Sequence, residues 1–337
     1  MNDASSATFD MIIVGAGPSG LACSIAAQAA GLAHLVLDKG SVVNTIYRLP
    51  TDMLLFSTPD RLAIGDVPFS CPDKKPNRAQ VVTYYREVAR HFRLPIRQNQ
   101  KVTNISRRGD RFTLDLTATT GDYQVSARTV VVATGFYDSP VRVRVPGADS
   151  AKCHYYFQDG HPYFQQRVAV VGGGNSAVET ALELYRCGAE VSLIHRGAEL
   201  REGVKYWVRP EIENRIKRGE VSAYFGATVA EVRPGELAID TASGTSTLAN
   251  DAVIFQLGYR PTDQLLQQLG VGSDRSTEAP RFDADTLETD QPGVFVCGVV
   301  TAGAAAGTVL VEAGRFHGQR IVARVRDLLA AAGAGAG

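Results

Sequence analysis

Residues 15–20 form a G-x-G-x-x-G pattern between an apolar run and an alanine-rich segment. The run at 11–14 predicts a buried parallel strand, and residues 21–30 predict a helix. Here Gly15 permits a tight turn, Gly17 lets the backbone approach a pyrophosphate, and Gly20 lets the helix pack closely. The free N–H groups at the helix start would face the phosphates. The pattern therefore predicts a dinucleotide site.

Asp38 ends the next apolar run, residues 34–37. An acid at the end of the second strand of such a unit can accept a hydrogen bond from an adenosine ribose. The first unit therefore fits the adenosine of FAD or NAD.

A second unit of the same kind begins near Arg167. Residues 168–171 predict a strand, 172–177 form G-x-G-x-x-A, and 175–187 predict a helix. The following strand, 191–194, is succeeded by Arg196 and Arg201, with Lys205 close behind. Arginines at this place suit a 2′-phosphate, as in NADP, although a solvated surface pair is the alternative. The chain thus contains two Rossmann units.

Length and composition are those of a globular protein with a large core. The chain has 337 residues, 45% hydrophobic and 21% charged, with a net charge of zero. This balance gives no reason to expect nucleic acid or an anionic membrane as a partner. Apolar runs are shorter than the ~18 residues of a membrane span, and the N-terminus lacks the pattern of a secretory signal. We therefore expect a cytoplasmic protein with no membrane segment.

The remaining elements are predicted from periodicity and turn residues. Residues 38–78 are predicted to be irregular, 95–132 to form three antiparallel strands, and 221–261 to form a small β region. Helices are predicted at 77–92, 208–219 and 308–329. The alanine- and glycine-rich residues 330–337 are predicted to be a flexible tail.

Five cysteines are present, at 23, 71, 153, 187 and 297. Their spacing matches neither C-x-x-C nor a zinc site, so no metal site is predicted. Cys23, Cys153 and Cys297 are the candidate catalytic thiols, because thiol–disulfide exchange requires a thiolate. For each of them, packing in the core is the alternative.

Seven sequence blocks narrow the comparison to one family. They are VVNTIYRLPT, LLFSTPDRLAIGDVPF, YYREV, ATGFYDSP, HYYFQDGHPYF, GGGNSAVETALEL and EAGRFHG, at residues 42–51, 54–69, 84–88, 133–140, 154–164, 172–184 and 312–318. With them the chain resembles the bacillithiol disulfide reductases, which depend on FAD and NADPH. That family lies within the thioredoxin-reductase-like flavoproteins.

The resemblance implies an α/β fold with two Rossmann-type, three-layer dinucleotide-binding domains, thioredoxin-reductase-like. A discontinuous FAD domain would comprise residues 1–148 and 257–329, with an NADPH domain at 149–256 inserted. A homodimer is implied as well. The implied FAD residues are Gly15, Gly17, Gly20, Asp38, Lys39, Val102, Thr134, Gly135 and Gly298. The implied NADPH residues are Gly172, Gly174, Asn175, Ser176, Arg196 and Arg201.

At three positions the sequence differs from motifs that are typical of thioredoxin reductases, of related flavoproteins or of the bacillithiol disulfide reductases. Thioredoxin reductases have C-x-x-C where this chain has Cys153-His154-Tyr155-Tyr156. Many of these flavoproteins have Gly-Asp where this chain has Gly298-Val299, a difference that the bacillithiol branch shares. That branch typically has a cysteine, proposed as its catalytic thiol, at the position of Ser19, and serine cannot form a mixed disulfide.

Three functions stay open at this point. The first is an NADPH-dependent reductase of a low-molecular-weight disulfide such as bacillithiol disulfide. The second is a reductase without a dithiol that passes electrons to ferredoxin, flavodoxin or a quinone. The third is a flavin- or nucleotide-binding redox sensor that acts through a partner protein.

Overall fold

The computed structural model describes residues 8–260, 264–308 and 311–334. The strands are Thr8–Val14 (β1), His34–Leu37 (β2), Ile96–Arg97 (β3), Gln100–Arg108 (β4), Arg111–Ala118 (β5), Gly121–Val132 (β6), Cys153–His154 (β7), Arg167–Val171 (β8), Glu190–His195 (β9), Ser222–Phe225 (β10), Thr228–Arg233 (β11), Glu236–Thr241 (β12), Gly244–Ala249 (β13), Ala252–Phe255 (β14) and Val294–Val296 (β15). The helices are Pro18–Ala29 (α1), Asn44–Tyr47 (α2), Pro59–Leu62 (α3), Arg78–His91 (α4), Asn175–Arg186 (α5), Arg209–Lys217 (α6), Gln264–Gln268 (α7), Val311–Gly314 (α8) and His317–Ala334 (α9). Two 3-10 segments lie at His161–Tyr163 and Gly298–Thr308.

The chain divides into two compact units. Unit 1 comprises residues 8–47, 57–139 and the described residues from 260 onward. Unit 2 comprises Arg48–Phe56 and Pro140–Tyr259. The chain passes between these units at 47/48, 56/57, 139/140 and 259/260. The domains expected from the sequence change at 148/149 and 256/257.

Unit 1 is built on a seven-stranded mixed sheet in the order β3-β2-β1-β6-β5-β4, with β15 paired to β6. Strands β1, β2, β3, β6 and β15 pair in parallel, while β4, β5 and β6 form the predicted antiparallel piece. The run Met11-Ile12-Ile13 of β1 is fully buried, which explains its continuous apolar sequence. Helix α1 packs against β1 and β2 and also against α9.

Helix α4 shows how the sequence sets a boundary. The Asn77 side chain accepts a hydrogen bond from the Gln80 amide at 2.9 Å, and the Gln80 side chain accepts one from the Asn77 amide at 2.8 Å. This reciprocal pair is a capping box, which satisfies two N–H groups at the helix start. The predicted helix at 77–92 is therefore confirmed, with Asn77 as its cap.

Unit 2 contains a five-stranded parallel sheet in the order β10-β9-β8-β14-β7. Helix α5 connects β8 to β9, and α6 connects β9 to β10. Strands β11, β12 and β13 form a separate antiparallel sheet. The core between these elements includes Val170, Leu193 and Ile254, which are fully buried. This is the predicted second Rossmann unit followed by a small β region.

Three expectations about secondary structure are wrong in part. Residues 38–78 contain the short helices α2 and α3 rather than only irregular chain. Helix α9 continues to Ala334, five residues into the segment expected to be flexible, because alanine favours helix strongly. The single helix expected at 308–329 is instead divided into α8 and α9, and Val309, Leu310 and residues 335–337 lie outside the described residues. Among the helices described, none is long and apolar enough to cross a membrane.

Candidate functional site

A cavity of about 480 Å³ lies in unit 1 at the carboxyl ends of β1, β2, β6 and β15. The carboxyl edge of a parallel sheet is where such folds bind nucleotides. The implied FAD residues that line this cavity are Gly15, Gly17, Asp38, Lys39, Val102, Thr134, Gly135 and Gly298. The remaining one, Gly20, is buried behind the loop. Ser19 and Cys297 also line the wall. We call this space the unit 1 cavity.

The first glycine loop has the geometry expected from its sequence. Gly15 has φ +118°, and a Cβ there would overlap the Ala133 carbonyl. A Cβ at Gly20 would overlap the Gly15 carbonyl, so glycine allows α1 to approach the loop. A Cβ at Gly17 would have no heavy atom within 4 Å, which leaves open space over the backbone. Helix α1 also has no side-chain cap at Gly17.

Asp38 is held by the backbone at the cavity rim. Its carboxylate accepts hydrogen bonds from the Ala16 amide at 2.7 Å and the Gly40 amide at 2.8 Å. Burial raises the pKa of the carboxyl group, and the two amide bonds partly offset this effect. Lys39 next to it pairs with Asp138 at 2.9 Å. The carboxylate is thereby fixed in orientation, with remaining acceptor positions on its two oxygens.

A buried polar atom of the cavity-lining residue Thr134 has no hydrogen-bond partner among the residues that the structure describes. Thr134 Oγ1 is buried and lacks a hydrogen bond to any described residue. Gly135 follows it with φ +75°. Burying a hydroxyl group without a hydrogen-bond partner destabilises the folded state by roughly 1–3 kcal/mol. A ligand bound in the cavity could supply the missing partner.

Of the three candidate thiols, Cys23 and Cys297 both lie in unit 1. Cys297 Sγ donates a hydrogen bond to the Ser19 carbonyl at 3.6 Å. The hydrogen bond from the Cys23 thiol lowers the pKa of Cys297, with a further contribution from His317, whereas the pKa of Cys23 is raised. His317 Nδ1 also accepts a hydrogen bond from the Gly298 amide at 3.1 Å.

Cys153 lies in unit 2, at the start of β7. Its thiol donates to the Gly147 carbonyl at 3.6 Å and lies 3.5 Å from Ser150 Oγ. All five cysteines are free. Within unit 2, Cys153 therefore sits in a hydrogen-bonded turn rather than beside another thiol.

The second glycine loop and the arginine segment meet in unit 2. The Arg201 amide donates to the Gly173 carbonyl at 3.0 Å, and Arg201 Cδ would lie 3.8 Å from a Cβ at Gly174. Arg196 and Arg201 are exposed, and neither guanidinium has an acidic partner among the described residues. Helix α5 begins here after Gly174, without a side-chain cap. The implied Ser176 lies in its first turn.

Sequence reasoning missed His195 as part of this cluster. Its ring lies against Gly173 and Gly197, where a Cβ on Gly173 would overlap it. Burial lowers the pKa of the imidazole, and Arg201 and Arg196 lower it further. Its position at the end of β9, directly before Arg196, could have indicated that it belongs to this cluster.

A buried ion pair supports the same loop. Lys205 is 4% exposed and binds Glu179 at 2.6 Å, and its ammonium also donates to the Leu54 carbonyl. The Asn175 side chain accepts from the Lys205 amide at 2.7 Å and donates to the Gly203 carbonyl. Lys205 and the Asn175 side chain thus hold the loop in place through hydrogen bonds. The backbone amide of Asn175, at the start of α5, is the part of this residue that could bind a ligand.

Comparison with known proteins places this arrangement in a family. The model described as pyridine nucleotide-disulphide oxidoreductase matches residues 12–298. The chain belongs to that family. It is 38% identical over 316 residues to the bacilliredoxin reductase Bdr of Bacillus subtilis (strain 168), which covers 93% of this chain and 96% of the relative.

Solved structures agree with this assignment. The bacillithiol disulfide reductase Bdr from Bacillus cereus has a TM-score of 0.92 and 38% identity, with 95% of this chain and 99% of that chain covered. The thioredoxin reductase of T. acidophilum shares the fold, with a TM-score of 0.74 at 20% identity and coverage of 96% and 99%. The expected fold class and the resemblance to bacillithiol disulfide reductases are therefore confirmed.

As a member of the pyridine nucleotide-disulphide oxidoreductases, the chain is a flavoprotein oxidoreductase. The predicted cofactors, FAD and NADPH, are confirmed by this membership. The residues that hold them remain the subject of a proposal.

Proposed function

We propose that the protein reduces a low-molecular-weight disulfide, bacillithiol disulfide or a close relative, with electrons from NADPH. The observation that carries this proposal is the similarity, at 38% identity across nearly the whole chain, to the protein of Bacillus cereus named bacillithiol disulfide reductase. The relative from Bacillus subtilis, also 38% identical, is named bacilliredoxin reductase. Bound FAD would accept a hydride from NADPH and supply the electrons for the disulfide. The protein residues would bind and orient both cofactors.

The unit 1 cavity fits FAD on several grounds. The open space over Gly17 and the N–H groups at the start of α1 suit a pyrophosphate. Asp38 is oriented to accept a hydrogen bond from the adenosine ribose. The unpartnered Thr134 Oγ1 would gain a partner from a bound cofactor. We therefore assign FAD to the predicted residues of unit 1, with Gly20 acting through the packing of α1.

The cluster in unit 2 fits the 2′-phosphate of NADPH. Arg196 and Arg201 supply two guanidinium groups without acidic partners among the described residues, and guanidinium binds phosphate strongly. His195 adds a ring that a nearby dianion would favour in its charged form. The loop of Gly172 and Gly174 and the start of α5, at Asn175 and Ser176, would receive the pyrophosphate.

Reduction of a disulfide by thiol exchange needs a protein thiol that the substrate can reach. Ser19 lines the unit 1 cavity, but its hydroxyl cannot exchange with a disulfide. Cys297 is the thiol at this wall, and it is 1% exposed. This observation favours a second candidate function, transfer of electrons to ferredoxin, flavodoxin or a quinone, which needs no protein thiol.

An anaerobic titration separates these functions. The purified flavoprotein is reduced with NADPH, and bacillithiol disulfide is then added while the flavin absorbance is followed. We expect the absorbance to bleach with NADPH and to return with the disulfide. Return only after ferredoxin, flavodoxin or a quinone is added would overturn the proposal in favour of the second function. Reduction by dithionite serves as the control that the flavin is intact.

We also infer that the protein is a cytoplasmic homodimer, and the family resemblance is the support for this. Sedimentation of the flavoprotein at micromolar concentration tests the oligomer, and a monomer there would contradict it. Fractionation of cells that make the protein tests the location, and recovery outside the cytoplasm would contradict it.

A further inference from the structure

The backbone of Gly298, at the wall of the unit 1 cavity, is held on both sides by side chains. Its amide donates a hydrogen bond to His317 Nδ1 at 3.1 Å, and its carbonyl oxygen accepts one from the Thr301 hydroxyl at 2.8 Å. An amide has one hydrogen to donate, and the contact with His317 already uses it. Gly298 therefore contributes to the cavity through its position rather than through its amide.

Two glycines four residues apart bring His317 to this place. A Cβ at Gly314 would lie 2.3 Å from Ser19 Oγ. A Cβ at Gly318 would lie 2.5 Å from Cys23 Cα. Since residues 19 and 23 are about one turn apart on α1, the paired glycines let the chain from α8 into α9 lie directly against that helix. This close approach carries His317, which lies between the two glycines, to the cavity wall.

The wall at Gly298 and Val299 has no polar side chain to offer a cofactor. Both residues line the cavity. Gly298 has φ +74°, and a Cβ there would lie 2.6 Å from Ser19 Oγ. The side chain of Val299 is apolar and neither donates nor accepts a hydrogen bond. What this stretch contributes to binding therefore depends on where its backbone is held.

We propose that His317 is a positioning residue for FAD, which holds the wall at Gly298 and Val299 in the form that the cofactor fits. The proposal rests on the assignment of FAD to the unit 1 cavity. His317 acts through the Gly298 amide, and Thr301 supports the same residue through its carbonyl. Binding to a wall that is already ordered avoids the entropy cost of ordering it, so FAD binds more tightly.

The test compares two substitutions of nearly equal size at His317. His317→Leu removes the acceptor, whereas His317→Asn places an amide oxygen close to the position of Nδ1. The holoenzyme of each variant is diluted, and the Kd for FAD is obtained from the flavin fluorescence that is released. We expect the Kd to rise about 3- to 10-fold in His317→Leu, the effect of one neutral hydrogen bond, and to return to the wild-type value in His317→Asn.

Hydrogen exchange after removal of FAD gives a readout that does not depend on the cofactor. Peptides that contain the Gly298 amide should be protected in the wild type and in His317→Asn, and should exchange faster in His317→Leu. Thr301→Val keeps the shape of its side chain and loses the hydroxyl. It should also raise the Kd for FAD, whereas Thr301→Ser, which keeps a hydroxyl, should not.

The proposal is wrong if His317→Leu binds FAD as tightly as the wild type, or if His317→Asn loses as much affinity as His317→Leu. It is also wrong if the Gly298 amide exchanges freely in the FAD-free wild type, a measurement that decides the question even if a variant does not fold. Unchanged affinity in Asp38→Asn would instead overturn the assignment of FAD to this cavity, and the proposal with it. Reduction of a disulfide does not enter the test, so a different electron acceptor would leave the result as it is.

Discussion

At the scale of single residues, the charged side chains that follow the second strand of each Rossmann unit differ between unit 1 and unit 2. Unit 1 presents the carboxylate of Asp38, held by two backbone amides. Unit 2 presents Arg196 and Arg201 at the equivalent place. A carboxylate binds a ribose hydroxyl and repels a phosphate, while arginines do the reverse. We therefore expect the choice of cofactor in each unit to depend on these side chains.

Asp38→Asn should weaken FAD binding. It removes a charged acceptor, and hydrogen bonds to charged groups contribute roughly 1.5–3 kcal/mol, so we expect the Kd for FAD to rise about 10- to 100-fold. Flavin fluorescence released on dilution measures the Kd. Asp110→Asn, in an exposed turn, is the matched control and should retain FAD as the wild type does. Equal retention by Asp38→Asn would contradict the FAD assignment.

Arg196→Ala and Arg201→Ala should each raise the KM for NADPH about 10-fold or more, because each removes a charged donor to the 2′-phosphate. The KM for NADH should not change, since NADH lacks that phosphate. Steady-state kinetics with both nucleotides give the comparison. Arg233→Ala removes an exposed guanidinium from β11 of the same unit and serves as control. An equal effect on NADH would show that the arginines support the fold instead.

At the scale of elements, the loops that carry functional residues are fastened by polar contacts to the helices beside them. The loop after β9 is held by the Arg201 amide, by the Asn175 side chain and by the buried pair of Lys205 with Glu179. Burial raises the pKa of Glu179, and Lys205 offsets that effect. The position of Arg201 is therefore set by side chains that need not touch a nucleotide.

Asn77→Ala should destabilise α4 by about 1 kcal/mol, since it removes the cap of the capping box. For a unit of this size that lowers the melting temperature by roughly 2–4 °C. Asn214→Ala is the matched control, because Asn214 is exposed within α6 and alanine favours helix there. Calorimetry should show no loss for Asn214→Ala. If the melting temperature of Asn214→Ala fell as far as that of Asn77→Ala, loss of the helix cap would not explain the effect.

At the scale of the whole molecule, the two sites lie in separate compact units. We predict that FAD stabilises unit 1 and NADP⁺ stabilises unit 2. A ligand at one hundred times its Kd adds about 2.7 kcal/mol to the unit that binds it. Hydrogen exchange followed by mass spectrometry should show the protection by FAD in β1, α1 and β15, and that by NADP⁺ in β8 and α5. Protection of the same peptides by both ligands would contradict the assignment.

Sequence alone predicted the local parts of this molecule well. The strand–glycine–helix order of both units and the place of Asp38 follow from neighbouring residues, so periodicity was sufficient. The contact of Cys297 Sγ with the Ser19 carbonyl was not predictable, since the two residues are far apart in the chain and the position of β15 beside β6 depends on the tertiary fold. The ion pair of Lys205 with Glu179 was not predicted either, because it joins residues that are distant in the sequence. The end of α9 was misplaced because the alanine- and glycine-rich composition of residues 330–337 was taken to indicate a flexible tail.

The long strand β6 has a consequence for the order of synthesis. Its last residues pair with β1 on one side and with β15 on the other, and β15 follows the whole of unit 2 in the chain. On a ribosome, unit 2 can complete its sheet while the neighbour of β6 has not yet been made. The wall formed by Cys297, Gly298 and Val299 is synthesised only after unit 2. A nascent chain that ends before residue 299 should therefore hold a finished nucleotide unit and be unable to capture flavin.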